Sequence, residues 1–175
     1  MDLFDKQRIV EMVSYILNET GGADVYHVVK ILYFAEQNHL VKWGAPLISD
    51  DFVAMEYGPV PTETYDALKV SATGDFADLM KRVYKRAGKD GKGYLLPTRT
   101  PDMDYISASE KEALDASIKE NAGLSFSKLK TKSHDSAYHC GKRYIPKVKI
   151  AEAGNADADT IGYIKDQEEL RLLLV

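Results

Sequence analysis

The chain has 175 residues, and 45% of its side chains are hydrophobic, which is enough for one domain with a substantial buried core. Its formal net charge of −4 does not favour a general nucleic-acid-binding protein. A single cysteine, Cys140, excludes an internal disulfide framework and is typical of a reducing compartment. Neither a signal peptide nor an apolar run of about 18 residues occurs, so we expect a cytoplasmic protein without a membrane span.

Two helices are predicted at the start of the chain. Apolar residues at helical spacing indicate a helix over residues 5–18, which Gly21 and Gly22 end. Asp24 is a suitable N-cap for a second helix that extends to about Val41. Because this helix is apolar around more than one face, we expect it to be the most buried helix of the fold.

The middle of the chain is predicted to alternate between short strands and short helices. The run 52–57 indicates a strand, and a helix follows it over about 61–71. Apolar residues between 76 and 84 indicate another helix, and the glycine-rich tract 88–93 indicates an exposed turn. Residues 94–96 form a second strand candidate, which we expect to pair antiparallel with 52–57.

The C-terminal third is predicted to be helical. Ser107 opens a capping-box helix that ends near Asn121, and Ser125 caps a short helix over 126–133. We expect a further helical turn or two over 134–144. The extended piece, linker and terminal helix that follow are predicted at 148–150, 151–159 and 161–173, with the apolar end 170–175 packed on the core.

These elements predict a mainly α fold, a compact bundle of seven or eight helices around a small antiparallel sheet of two or three strands. We expect residues 1–150 to form the core of the domain. Residues 151–175, the linker and the C-terminal helix, are predicted to belong to the same domain.

The sequence Tyr57-Gly58-Pro59 predicts a rigid turn at the end of the 52–57 strand. Gly58 can adopt backbone conformations that are closed to other residues, and Pro59 fixes its own φ angle and donates no backbone hydrogen bond. A rigid turn of this kind holds either a catalytic site or a docking surface, and the rest of the sequence must decide between them.

No catalytic or cofactor pattern accompanies this turn. His134 and His139 diverge by roughly 140° on a helix, so neither they nor Cys140 converge as a metal site requires. Cys140 and His139 do not form a nucleophilic pair, because sequence neighbours on a helix do not face each other. The 88–93 tract lacks the spacing of a phosphate-binding loop. We therefore predict no cofactor, no metal ion and no catalytic residue.

Two stretches of the chain, 81–92 and 128–149, are strongly basic, and each contains a single acidic residue. Their charges fall on both sides of apolar stripes, which is typical of solvated helix faces. The alternative is a patch that attracts an anionic partner, although the net charge makes nucleic acid an unfavoured one.

Four motifs follow one another along the chain: Lys30-Ile31-Leu32-Tyr33-Phe34-Ala35 with His39; Gly44-Ala45-Pro46-Leu47; Phe52–Glu56 continuing into Tyr57-Gly58-Pro59-Val60 and a helix with Tyr65 and Leu68; and the helix after Ser107, followed by Leu129 and Ser133-His134. In this order they resemble the Panacea domain, also called the SocA-like antitoxin domain, over most of the chain. Tyr138 stands near the place where the family usually carries a tryptophan.

The resemblance implies a non-enzymatic protein that is encoded beside a small toxin, often on a prophage or another mobile element. Such proteins neutralise the toxin by direct binding. One branch of the family is instead a proteolytic adaptor, which delivers its toxin to a cytoplasmic ATP-dependent protease. We therefore expect an antitoxin with a cognate protein toxin as its partner, and the adaptor role is the alternative.

Side chains near the rigid turn are the expected partner surface, and Gly58 and Pro59 are expected to set its shape. Aromatic anchors on ordered elements lose little entropy on binding. The expected contact residues are Tyr33, Glu56, Tyr57, Tyr65, His134 and Tyr138. A small-ligand or catalytic site, with Glu56 and His134 as acid and base, remains an alternative from a different class.

Overall fold

The fold was analysed in a computed structural model that describes residues 1–88 and 93–173. Its eight α-helices are α1 Leu3–Thr20, α2 Val25–Trp43, α3 Thr62–Ala67, α4 Asp75–Met80, α5 Ala108–Asn121, α6 Phe126–Ser133, α7 Lys147–Ala153 and α8 Ala158–Leu173. Its strands are β1 Phe52–Met55, β2 Gly58–Pro61, β3 Tyr84–Arg86, β4 Leu95–Pro97 and β5 Tyr144–Ile145, with a 3-10 turn at Met103–Tyr105. The predicted mainly α bundle around a small antiparallel sheet is confirmed.

Helix α2 lies at the centre of the core, as its apolar circumference predicts. It packs against α5, α7, α6 and β2, and its side chains Ile31, Leu32 and Tyr33 are fully buried. Its start is capped by Asp24, whose carboxylate accepts the backbone N–H of His27 at 2.8 Å. The other predicted helix ends are also confirmed: Gly21 ends α1, Ser107 forms the capping box of α5, and Ser125 caps α6. The two serine caps were predictable because side-chain capping depends on local chemistry.

Buried polar groups hold the connection between α2 and β1. The Glu36 carboxylate accepts the backbone N–H groups of Leu47 at 2.9 Å and Ile48 at 3.0 Å. The Asp50 carboxylate in turn accepts the N–H of Thr64 at 2.8 Å at the start of α3. These bonds fix the open end of the strand pair, beside Phe52 and Pro61 and opposite the predicted turn.

The larger sheet is antiparallel, with strand order β2-β1-β5. Phe52 pairs with Pro61 and with Ile145, and Met55 pairs with Gly58, so β1 and β2 form a hairpin that is closed by Glu56 and Tyr57. The expected rigid turn is therefore a hairpin, and the strand after it was missed. Two prolines argue against a strand in the centre of a sheet, but β2 is an edge strand, where a missing N–H is tolerated. The helix that follows is shorter than predicted.

The predicted pairing of residues 94–96 with 52–57 is wrong. Strand β4 pairs instead with β3, in the register Lys85 with Leu96. The apolar spacing placed Val83 and Tyr84 on the preceding helix, but α4 ends at Met80 and Tyr84 starts β3. A local hairpin closes a shorter loop than a pairing with β1 does, which lowers its entropic cost. The predicted turn at 88–93 lies mostly outside the described residues.

Of two predictions near the C-terminal end, one is partly right and the other is wrong. Residues 134–143 contain no α-helix, but the predicted helical turn is present as a hydrogen-bonded turn in which the His139 N–H donates to the Asp135 carbonyl. Residues 148–150 belong to α7, because Pro146 sits at a helix N-cap and Ile150 is buried on the helix face that meets α2.

Helix α8 packs against α7 and α2 through the buried side chain of Ile164. The predicted packing of the apolar end is wrong for two of its residues, since Leu170 is 50% exposed and Leu173 is 81% exposed. Residues 174 and 175 lie outside the described part of the chain. Among the described helices, none has both the length and the apolar content needed to cross a membrane.

Candidate functional site

The hairpin turn is fixed from below by α2 and by the end of α6. Gly58 has a φ of 99°, in the region that side chains rarely adopt, and it is buried. A Cβ atom at this position would collide with the Ser133 hydroxyl and would lie 2.9 Å from the Lys30 amine. The Lys30 Nζ donates a hydrogen bond of 2.6 Å to the Pro59 carbonyl. Gly58 is therefore required for the close approach of the hairpin to α2.

Lys30 is the most unusual residue of this region, because its amine is fully buried among apolar groups. Burial lowers the pKa of Lys30 to about 7. Within residues 1–88 and 93–173, no carboxylate forms an ion pair with this amine, which also lies over the Tyr26 ring, 5.2 Å from its centre. Such a group is poised between the charged and the neutral form near neutral pH.

The hairpin, the start of α2 and the region of α3 enclose an open cleft of about 500 Å³. Three aromatic rings form one wall: Phe126 lies 4.4 Å from Tyr26 and 5.4 Å from Tyr57 between ring centroids. The Tyr57 ring is 46% exposed and the Phe126 ring 47%. We call this feature the hairpin cleft.

Further apolar side chains line the hairpin cleft. Met55 and Val70 line it with 43% and 58% of their surfaces exposed. Tyr65 is half-buried beside them, and the Lys69 amine lies 5.0 Å from the centre of its ring. The predicted contact residues Tyr57, Tyr65 and Glu56 therefore share one concave surface.

His134 and Tyr138 form a separate stacked pair, with ring centroids 4.1 Å apart. Burial lowers the pKa of His134, and the nearby positive charges of Lys130 and Lys30 act in the same direction. Its Nε2 atom is buried and finds no hydrogen-bond partner in the described part of the chain. Neither ring lines the hairpin cleft, although the His134 ring lies close to the backbone of Glu56.

The Asp135 carboxylate ties the turn after α6 to the core. It accepts hydrogen bonds from the Tyr33 hydroxyl at 2.8 Å and from the backbone N–H of Tyr138 at 3.0 Å. Burial, and then the Asp135 charge, raise the pKa of Tyr33. Tyr33 is fully buried, so its side chain is not available to a partner in this structure.

Sequence reasoning missed three of the residues that shape this region, namely Lys30, Tyr26 and Phe126. For Lys30 a signal was present, since it is a lone charge within the apolar run 28–35 of the most buried helix. For Phe126 the sequence carries no such signal, because apolar spacing does not distinguish an exposed ring from a buried one. Among the described residues, no group of three or more His, Cys, Asp or Glu side chains is arranged to hold a metal ion.

Comparisons with known proteins complete the description. A search of curated proteins found no match, and neither did a search of solved structures. A family model described as "Antitoxin SocA-like, Panacea domain" matches residues 28–138, which include most of α2, the hairpin, Phe126 and the His134–Tyr138 pair. Since this match covers more than half of the chain, the protein belongs to the SocA-like antitoxin family with a Panacea domain.

Proposed function

We propose that this protein is the antitoxin of a toxin–antitoxin system and neutralises a cognate protein toxin by direct binding. Its membership of the SocA-like family supports an antitoxin role. The observation that carries the proposal is the exposed aromatic surface of the hairpin cleft, where Tyr57 at the hairpin tip and Phe126 at the start of α6 are each about half exposed. Exposed aromatic clusters of this kind are typical of protein interfaces.

The mechanism would be steric, with the antitoxin covering the active surface of the toxin. Gly58, Pro59 and Lys30 hold the hairpin against α2, so Tyr57 is presented with little conformational freedom left to lose. We place Tyr57, Tyr65 and Glu56 in the contact surface, with the His134–Tyr138 pair at a second, neighbouring position. We leave Tyr33 out because it is buried.

This mechanism requires no catalytic group, and we propose a non-enzymatic role. The Glu56 carboxylate is exposed at the hairpin tip, while His134 lies outside the hairpin cleft. An acid–base pair would need both groups within reach of one substrate. We also propose that the protein acts in the cytoplasm and that its gene lies on a prophage or another mobile element.

Co-expression tests the main proposal. The protein encoded by the adjacent open reading frame is expressed alone, with this chain, or with its Tyr57→Ala variant. We expect growth arrest by the toxin alone, restored growth and co-purification with the native chain, and weakened protection with the variant. Tyr163→Ala is the matched control, because Tyr163 is 53% exposed on α8, outside the hairpin cleft. Unrelieved arrest with no co-purified complex would refute the proposal.

A second candidate function, delivery of the toxin to an ATP-dependent protease, is favoured by one observation. Leu170 and Leu173 project from the end of α8 with half or more of their surfaces exposed. An adaptor needs a second surface besides the one that holds its cargo. Replacing both leucines by serine should stop protease-dependent turnover of the toxin after translation is blocked, while toxin binding remains. Equal turnover with and without the two leucines would exclude this end of α8 as the protease contact.

A further inference from the structure

We infer that the hairpin cleft receives an apolar segment of the toxin that carries acidic side chains at its flanks. The inference rests on the proposed antitoxin function and goes further by naming the site and the chemistry of its occupant. It combines the exposed apolar walls of the cleft with the charges that surround it.

Exposed apolar side chains line the hairpin cleft. Met55, Tyr57, Val70 and Phe126 are each between 43% and 58% exposed, and all four line the same cleft of about 500 Å³. A cleft of this volume accommodates a few side chains of a bound segment, and it is too small for a whole domain face. The occupant therefore has to present an apolar side chain or two on a protruding element.

The charge around the cleft selects the flanks of that segment. Arg86 lines the cleft, and the Lys130 amine lies 5.2 Å from the centre of the Tyr57 ring; Lys30 also lines the cleft, but its amine is buried and does not reach a bound segment. Within the described residues none of these three cations forms an ion pair with a carboxylate: Lys30 donates to the Pro59 carbonyl and Arg86 to the Leu68 carbonyl.

Three further charges belong to the cleft. Lys69 also lines it and is paired with Asp66, while Asp24 and Glu56 are its acidic lining residues. The Asp24 carboxylate is engaged at the start of α2, where it accepts the N–H of His27. Within the described residues, Arg86 and Lys130 are accessible cations without a carboxylate partner and Glu56 is an exposed carboxylate without a cation partner, in a chain whose net charge is −4.

The two basic stretches of the sequence contribute one cation each to this site. Arg86 belongs to the stretch 81–92 and Lys130 to the stretch 128–149, and the fold brings them to the same cleft. Lys130 lies over the Tyr57 ring and Arg86 lies beside Leu68, another lining residue, so acidic residues beside an apolar anchor find a cation nearby. Complementary charge of this kind increases the association rate and selects the partner.

The test measures the affinity of the purified toxin, the product of the adjacent open reading frame, for four variants of this chain. Phe126→Ala removes an apolar anchor, and Phe4→Ala is its matched control, because Phe4 is 62% exposed on α1 outside the cleft. Lys130→Glu reverses a cleft charge, and Lys119→Glu on the exposed face of α5 is its control. All four side chains are partly or fully exposed, and thermal melts verify that each variant is folded.

We expect Phe126→Ala and Lys130→Glu each to weaken binding by about tenfold or more, and the two controls to change it by less than about twofold. Overlapping peptides of the toxin locate the segment, and the bound peptide should lose affinity when its acidic residues are replaced by lysine. A bound peptide without acidic residues, or salt-sensitive binding of duplex DNA in the cleft, would overturn the inference.

The outcomes separate this inference from the antitoxin function itself. If the native chain protects cells and binds the toxin, but Phe126→Ala and Lys130→Glu bind as tightly as the controls, then the cleft is not the docking site and the antitoxin function stands. If the native chain neither protects cells nor binds the toxin, the function and the inference both fall.

Discussion

Replacing Gly58 by alanine should destabilise the protein more than the same change at Gly74. The two glycines have nearly equal φ angles, 99° and 97°, so alanine meets an unfavourable positive φ at both. They differ in their surroundings. A Cβ on Gly58 would collide with Ser133 and approach the Lys30 amine to 2.9 Å, whereas a Cβ on Gly74 has nothing within 4 Å.

The magnitude follows from this comparison. Backbone strain alone costs about 1–3 kcal/mol, and both variants should lose free energy of unfolding on that scale. Overpacking a buried site adds about 1–3 kcal/mol, and this cost applies to Gly58→Ala because Ser133 and Lys30 are both fully buried and have no open space to move into. We therefore expect Gly58→Ala to lose about 2 kcal/mol more than Gly74→Ala.

Equilibrium urea unfolding, followed by circular dichroism, measures both losses in the same buffer. Because the hairpin carries the proposed contact surface, Gly58→Ala should also bind the toxin more weakly than Gly74→Ala does. Equal losses of unfolding free energy in the two variants would refute the close packing of Gly58 on Lys30 and Ser133.

Two further predictions concern charged groups. Burial lowers the pKa of Lys30 from 10.5 to about 7. Between these pH values the unfolded chain binds more protons than the folded chain, so the free energy of unfolding increases with pH. We expect it to rise by about 3 kcal/mol from about pH 6 to about pH 9. In urea titrations at the two pH values, Lys30→Met should remove most of that rise. The same increase of unfolding free energy with pH in this variant would contradict the prediction. Arg99→Leu leaves the buried Glu11 carboxylate without its ion-pair partner, and it should lower the free energy of unfolding by about 3 kcal/mol in the same assay. Lys111→Leu is the comparison, because it breaks the exposed pair with Asp115 and should cost below about 1 kcal/mol. Equal losses of unfolding free energy for Arg99→Leu and Lys111→Leu would contradict this prediction.

The helical part of the fold was predictable because its signals are local. Asp24, Ser107 and Ser125 cap helices through bonds to N–H groups three residues away, and a sequence pattern contains that information. The burial of α2 followed from its apolar circumference in the same way. The sheet was not predictable to this extent, because a strand of two residues such as Tyr144–Ile145 carries almost no pattern of its own.

The candidate site was predictable in its shape and only partly in its surface. Gly58 and Pro59 indicated a tight turn because their backbone chemistry is distinctive. The pairing of that turn with Phe126 depends on how α6 packs beside the hairpin, which is a tertiary contact with no local signature. Tyr33 was wrongly placed in the contact surface. Its apolar neighbours in the sequence are compatible with either a buried ring or an interface, and the ring is buried.

The adaptor and the steric antitoxin share the toxin-binding surface and differ at the end of α8. Binding and protease-dependent turnover therefore have to be measured on the same variants, with changes in the hairpin cleft and changes at Leu170 and Leu173 kept apart. A change in the cleft should affect both readouts, because an adaptor that does not hold its cargo cannot deliver it.

The central claim, neutralisation by direct binding, is tested most directly by calorimetric titration of the purified toxin with this chain. We expect saturable binding of the native chain, loss of the toxin's activity as the chain reaches equimolar concentration, and weaker binding for Tyr57→Ala. A folded native chain that gives no binding heat, and leaves the toxin fully active when present in excess, would contradict it.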